Sequence, residues 1–222
     1  MKYAYINGII LDGSKEMKPE TGKIILTDGE KIKDIIEQGR DIPQEYQTVD
    51  LDGKYIMPGL INMHLHLPAN GKPKKKEDDN VKKVKLLTSN AFFRYMVRKV
   101  CAGYAKTQLM SGVTTIRTMG GVLSVDSDIR DRINDGRMIG PRILSSDMAV
   151  SVEGGHMAHS LAYAAHSEEE ARTLVRKILE GKPDVIKLMI TGGVLDAKAK
   201  GEPGELKMPP EYVKAACDDC LL

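Results

Sequence analysis

The chain has 222 residues, 41% hydrophobic and 29% charged, enough apolar material for a buried core and too much for a disordered tail. Its 33 basic and 31 acidic side chains nearly cancel to +2, and aromatics make up 5% with no Trp, which argues against a phosphate-backbone binder and a base-stacking platform. Three sparse cysteines, no run of about 18 apolar residues and no signal-peptide core in MKYAYINGIILDG lead to the expectation of a soluble, cytoplasmic enzyme or binding protein, with no membrane and no nucleic-acid partner.

Residues 1–55 read as an all-β module. Apolar stretches at 3–11, 22–27, 32–37 and 48–51 are separated by Asp12-Gly13, Asp28-Gly29, Gly39 and Asp52-Gly53, where positive φ costs little. Residues 55–67 are apolar with little alternation, which predicts a strand covered on both faces. The lysine-rich stretch 70–85 predicts a solvated loop. A long helix is predicted over 86–110, a second strand over 113–117, a helix over 127–134 and a third strand over 141–145. The clearest helix spans 167–180. Ser167 and Glu170 have capping-box spacing, and Ala171, Leu174, Val175, Ile178 and Leu179 share one face. A fourth strand is predicted over 184–190, then a helix from Met208 with Pro209 in its first turn. Strands alternating with helices predict βαβ units and a parallel sheet. The 12 methionines read as core, and Cys217 and Cys220 as reduced helix cysteines.

Two features carry chemistry. His64 and His66 lie two apart on a predicted strand, so their imidazoles face the same way and can supply two ligands to one metal ion. Lys187 lies among apolar residues, where desolvation lowers a lysine pKa. An uncharged amine there is poised for Schiff-base or carbamate chemistry, and a strand-end lysine reaching to water is the plainer alternative.

The run Met57-Pro58-Gly59-Leu60-Ile61-Asn62-Met63-His64-Leu65-His66 resembles the first barrel strand of the amidohydrolase superfamily. Gly112-Val113-Thr114-Thr115-Ile116-Arg117, Gly140-Pro141-Arg142-Ile143, Gly154-Gly155-His156 and the stretch from Asp184 through Lys187 to Gly193 follow in order. Together they resemble its imidazolonepropionase-like, Xaa-Pro dipeptidase-like branch. Asn62 and Thr118 stand where that pattern commonly has Asp.

The resemblance implies an α/β fold: a partial (β/α)8 TIM barrel of about the first four βα units over 56–222, preceded by a small β-sandwich-type module over 1–55. It implies two divalent metal ions, zinc being usual, with His64, His66 and a CO2-derived carbamate on Lys187 as ligands. It also implies a metal-activated water that hydrolyses an amide-type C–N bond in a dipeptide, an N-acyl amino acid or a cyclic amide. His156 and His159 are candidate substrate contacts.

Two further histidines and a late Asp complete the family's site, yet no histidine follows His166, and Asp196, Asp218 and Asp219 come too early. The chain is therefore expected to be an amino-terminal fragment, inactive alone, that aggregates or forms homo-oligomers. The alternatives are a non-catalytic half completed by a second polypeptide, a deaminase of the same superfamily, and a metal-free Schiff-base lyase using Lys187.

Overall fold

Turn chemistry divides the amino-terminal residues into short strands. The computed structural model describes residues 1–69, 71, 80–193 and 204–220, and their contacts fall into two compact units, Met1–Gly59 and Leu60–Leu222. The first holds β1 (Lys2–Ile6), β2 (Ile9–Ile10), β3 (Lys23–Asp28), β4 (Lys31–Glu37), β5 (Gln47–Asp50) and β6 (Tyr55–Ile56). One sheet has the order β4-β3-β1-β5, and β2 pairs with β6 in another. Ala4, Ile24 and Leu26 form a small buried cluster in this unit.

The stretch 3–11, expected as one strand, breaks at Asn7-Gly8. Asn7 takes φ 56°, and a Cβ on Gly8 would sit 2.4 Å from Leu51 Cδ1. The Asp-Gly pairs behave as turn chemistry dictates. Asp28 pairs with Lys31 across a two-residue hairpin loop, and Asp52-Gly53 takes φ 50° and 71° in a type I′-like turn closed by Lys54 N–H to Leu51 O at 2.9 Å.

The second unit is mixed α/β. It holds β7 (Leu60–Leu65), α1 (Asn80–Thr88), α2 (Ala91–Met110), β8 (Val113–Thr118), α3 (Val125–Asn134), β9 (Arg142–Leu144), β10 (Ala149–Val152), β11 (Ala162–Ala165), α4 (Glu168–Leu179) and α5 (Pro210–Asp219). β7, β8 and β9 form a parallel sheet in that order. β10 and β11 form a parallel pair that the sequence reading did not anticipate. The first core cluster joins Val97, Cys101 and Ala105 of α2, spaced four apart on one stripe, to Ile116, Ile129 and Ile143. The second packs Val150 and Val152 against Ala171, Val175 and Ile178 of α4 and Ala216 of α5.

Several expectations are corrected. Residues 55–67 are not one strand. Pro58, with no N–H to continue a ladder, lies between β6 and β7. Nor is β7 covered on both faces: it ends the order of its sheet, and Leu60, Ile61 and Met63 are 51, 63 and 44% exposed.

The predicted 86–110 helix is two helices broken at Ser89-Asn90. The Asn90 side chain accepts from Phe93 N–H and starts a new helix. Of the expected loop over 70–85, residues 70 and 72–79 lie outside the described residues, as does Asp196, and the remainder from Asn80 is helical. The expected fourth strand over 184–190 reduces to one parallel bridge between Val150 and Leu188. The methionines are not uniformly core: Met148, Met189 and Met208 are buried, while Met1, Met17, Met57, Met63, Met96 and Met110 are exposed.

The α4 cap forms as its spacing predicts. Ser167 Oγ accepts from Glu170 N–H at 3.1 Å, while the Glu170 carboxylate reaches one residue beyond the cap to His166 N–H at 2.9 Å. Asp219 at the end of α5 is buried and paired with Arg172 and Arg176, which ties α5 to α4. No described helix is long and apolar enough to cross a membrane.

Candidate metal centre

The carboxyl end of β7 builds the site. The register of β7 against β8 shifts between Asn62 and Leu65, where three residue steps on β7 face two on β8. Such a bulge leaves ladder groups unpaired. Here side chains take them: His64 N–H donates to Asn62 Oδ1 at 3.2 Å, and Arg117 Nε–H donates to Met63 O at 2.9 Å. Asn62 can fill this role as well as the Asp common at its position, because the bond needs only a side-chain oxygen. His64 lies in β7 and His66 one residue past its end, and their rings stand 5.5 Å apart between centroids at 66°. The shared face expected from two-residue spacing is retained despite the bulge.

His66 Nδ1 lies 2.8 Å from the Gly120 carbonyl oxygen. A carbonyl can only accept, so Nδ1 carries the proton and Nε2 presents its lone pair. Gly120 takes φ +124°, and a Cβ there would lie 3.0 Å from Met189 Cε and 3.4 Å from the His66 ring, so glycine is required for this approach.

Burial and neighbouring positive charge lower the pKa values of the site's bases. His64 is held below the usual imidazole value by burial first, then by Lys187, Arg117 and His156. Burial also lowers His66, against the Gly120 hydrogen bond, with His64, His156 and Lys187 adding to the effect. The half-buried Lys187 amine is lowered by burial and then by Arg117. These mutual influences place His64, His66, Arg117, His156 and Lys187 in one neighbourhood. His156 N–H donates to Thr191 O at 3.3 Å. A Cβ on Gly193 would lie 1.7 Å from His156 Nδ1, so the Gly192-Gly193 turn is the space in which this imidazole sits. His159 does something different: its Nε2 pairs with Glu153 at 2.8 Å on an exposed face.

Among the described residues, no group of three or more His, Cys, Asp or Glu is placed to hold an ion. The cluster contains imidazole and cationic nitrogen without a carboxylate. Two neutral imidazoles fit a divalent ion by donor chemistry, and the His66 tautomer suits a ligand whose other nitrogen is anchored by a carbonyl. The missing element is negative charge, which a carbamate on Lys187 would supply in place of a cation.

A partly buried clamp holds the start of the segment that carries Lys187. Arg130 Nη1 donates to Ser145 Oγ at 2.8 Å, Lys182 O at 2.9 Å and Asp184 Oδ2 at 2.8 Å. Asp184 also accepts from Ser145 N–H at 2.8 Å, and Val150 N–H donates to Lys187 O at 2.9 Å. Burial pushes the Asp184 carboxyl up, but Arg130 and Ser145 outweigh it and hold the group below its ordinary value.

Of the residues the sequence pointed to, His64, His66, His156 and Lys187 come together in one neighbourhood; Arg117, Arg130 and Asp147 had no role in the sequence reading. An arginine in a β-branched strand was a signal for Arg117; nothing local marks the other two.

The family model for the amidohydrolase family matches residues 55–220. The ochratoxinase of Aspergillus niger is 24% identical, over 96% of this chain and 46% of its own length. Among solved structures, a candidate prolidase from Bifidobacterium longum is 32% identical with a TM-score of 0.74, over 98% of this chain and 46% of that one. A Xaa-Pro dipeptidase with methionine bound in its active site has 24% identity and a TM-score of 0.76, over 100% of this chain and 54% of that one. The chain spans less than half the length of the curated relatives it matches.

Proposed function

Because the chain belongs to the amidohydrolase family, we propose that it contributes the His64, His66 and Lys187 ligands of a metal-dependent hydrolase acting on an amide-type C–N bond. The observation that carries this reading is the His66 hydrogen bond to Gly120, which leaves Nε2 as a lone pair beside His64 and Lys187. In its complete form the site belongs to a (β/α)8 barrel of which residues 56–222 form the first units, after a β module over 1–55.

His64 and His66 offer neutral nitrogen donors. The Lys187 amine, with its pKa lowered, attacks the carbon of CO2. An N–C bond forms, one amine proton passes to solvent, and the product is a carbamate anion with two donor oxygens. A pair of divalent ions, zinc in this proposal, would supply Lewis acidity and a water acidic enough to act as nucleophile near neutral pH. His156, seated against Gly193 and electrostatically coupled to both metal-facing histidines, contacts the substrate. Arg117 keeps the region cationic and suits a substrate carboxylate, as in a dipeptide or an N-acyl amino acid. His159 belongs to the internal pairing of its loop with Glu153.

The donors carried by these 222 residues make half a binuclear set. The expected result is zinc binding without turnover by these residues alone, and hydrolysis of dipeptides or N-acyl amino acids once a polypeptide carrying the remaining His and Asp donors is supplied. His64→Ala and Lys187→Ala should abolish that hydrolysis. Turnover that survives both substitutions would overturn the assignment.

A further inference from the structure

We propose that Asp147 is a positioning residue for His66, acting through the single peptide plane that joins Gly120 to Gly121. The proposal takes its purpose from the reading of His66 as a ligand, but its geometry stands independently. A carbonyl and the following N–H share one rigid plane and point in opposite directions. On one side of this plane, the Gly120 carbonyl meets His66 Nδ1 at 2.8 Å. On the other, Gly121 N–H donates to the Asp147 carbonyl at 2.6 Å. Fixing the second bond fixes the direction of the first.

The neighbouring groups leave this plane little freedom. Gly120 N–H donates to Ser146 Oγ at 2.8 Å, and Ser146 N–H donates to Thr118 Oγ1 at 3.0 Å, all within the buried interior. Asp147 is 2% exposed and takes φ 53°, a left-handed backbone that glycine would adopt at lower cost. What a glycine lacks is the carboxylate. Asp147 Oδ1 accepts from Ser127 N–H at 3.0 Å, and Oδ2 accepts from Ser127 Oγ–H at 2.6 Å, in the first turn of α3. The carboxylate therefore ties the left-handed residue to a helix end, the residue's carbonyl holds the glycine peptide, and that peptide sets the proton on His66 Nδ1. A buried polar side chain at a left-handed position is costly unless something is gained from it. The gain assigned here is a His66 locked in one tautomer with Nε2 presented outward.

The test is the ring nitrogen spectrum of His66 in metal-free protein above the imidazole titration range, read from long-range 1H–15N correlations. Asp147→Gly keeps the backbone conformation and the carbonyl but cuts the tie to α3. Asp147→Asn keeps the tie, with its amide oxygen accepting from Ser127 N–H and its NH2 donating to Ser127 Oγ. Wild type and Asp147→Asn should show Nδ1–H alone. Asp147→Gly should show a mixture of tautomers, with zinc affinity reduced about tenfold. Should Asp147→Gly not fold, Ser127→Ala removes the hydroxyl's bonds to Asp147 and Ser145 and keeps the N–H bond, so a smaller but measurable population of the second tautomer is expected, and an unchanged tautomer overturns the proposal. A wild-type His66 protonated on Nε2, or a severed variant with the wild-type tautomer, overturns the proposal. The expected tautomer series without zinc binding in wild type would instead overturn the ligand reading and leave the positioning role intact.

Discussion

Asp126 lies in the second position of α3, fully buried, and no well-formed hydrogen bond reaches either carboxylate oxygen among the described residues. A Cβ on Gly121 would lie 2.6 Å from its Oδ2. Burial pushes the carboxyl up to about 7, opposed by the Thr118 hydroxyl and reinforced by the Asp147 charge. Two effects compete here. Desolvation raises the pKa from 3.8 to about 7, worth ~4 kcal/mol at 1.36 kcal/mol per unit. The α3 dipole favours the anion by only ~1 kcal/mol, so desolvation wins and the group remains a carboxylic acid well above pH 5.

The consequence for stability has the opposite sign to that of a salt-bridged Asp. Between the unfolded and folded pKa values the native state holds a proton that the unfolded state has lost, so stability falls as pH rises through this window and levels off above about 7. Asp126→Asn removes this titration. Any constant cost of the amide cancels when two pH values are compared. Urea unfolding of both proteins at pH 5 and pH 8 should show the variant gaining ~2 kcal/mol relative to wild type at the higher pH. A stability difference that is flat with pH, or that moves the other way, would refute the assignment of Asp126 as a buried, protonated acid.

Arg130→Ala should lower unfolding stability by ~2 kcal/mol in urea titration, below the 3–5 expected for a fully buried pair because the Asp184 side chain is 34% exposed; a loss under ~0.5 kcal/mol, the range of ordinary surface substitutions, would show that the clamp holds nothing. Gly193→Ala should leave the fold intact and shift the His156 ring resonances, since the new methyl would occupy the imidazole's place at 1.7 Å; unchanged His156 signals would contradict the packing described.

Local patterns announced themselves in the sequence, and tertiary relations did not. The Ser167 cap, the apolar face of α4 and the Asp-Gly turns follow from short-range chemistry, and all of them form. The 86–110 helix failed as one element because Asn90 caps a new helix more effectively than it continues an old one. The fourth strand shrank to one bridge: Lys187 and Met189 exchange backbone bonds with Val150 alone, while Asp184 at the start of the segment is tied to Arg130, fifty-four residues earlier. His64, His66 and Lys187 were singled out because the paired histidines and the lysine in an apolar run stand within an ordered set of family-like motifs. Asp147 was not legible: its role depends on a left-handed backbone angle and on a carbonyl, and neither has a residue signature.

On the reading proposed above, His64, His66 and a carbamate on Lys187 are the ligands these residues contribute to a pair of divalent ions, with Lys187 supplying the negative charge. The most direct measurement is equilibrium zinc binding with and without bicarbonate, in wild type and in the His64→Ala, His66→Ala and Lys187→Ala variants. Zinc affinity should rise with bicarbonate in wild type, lose that dependence in Lys187→Ala, and fall at least about tenfold in either histidine variant. Binding that ignores bicarbonate and survives loss of His64 and His66 would contradict the account.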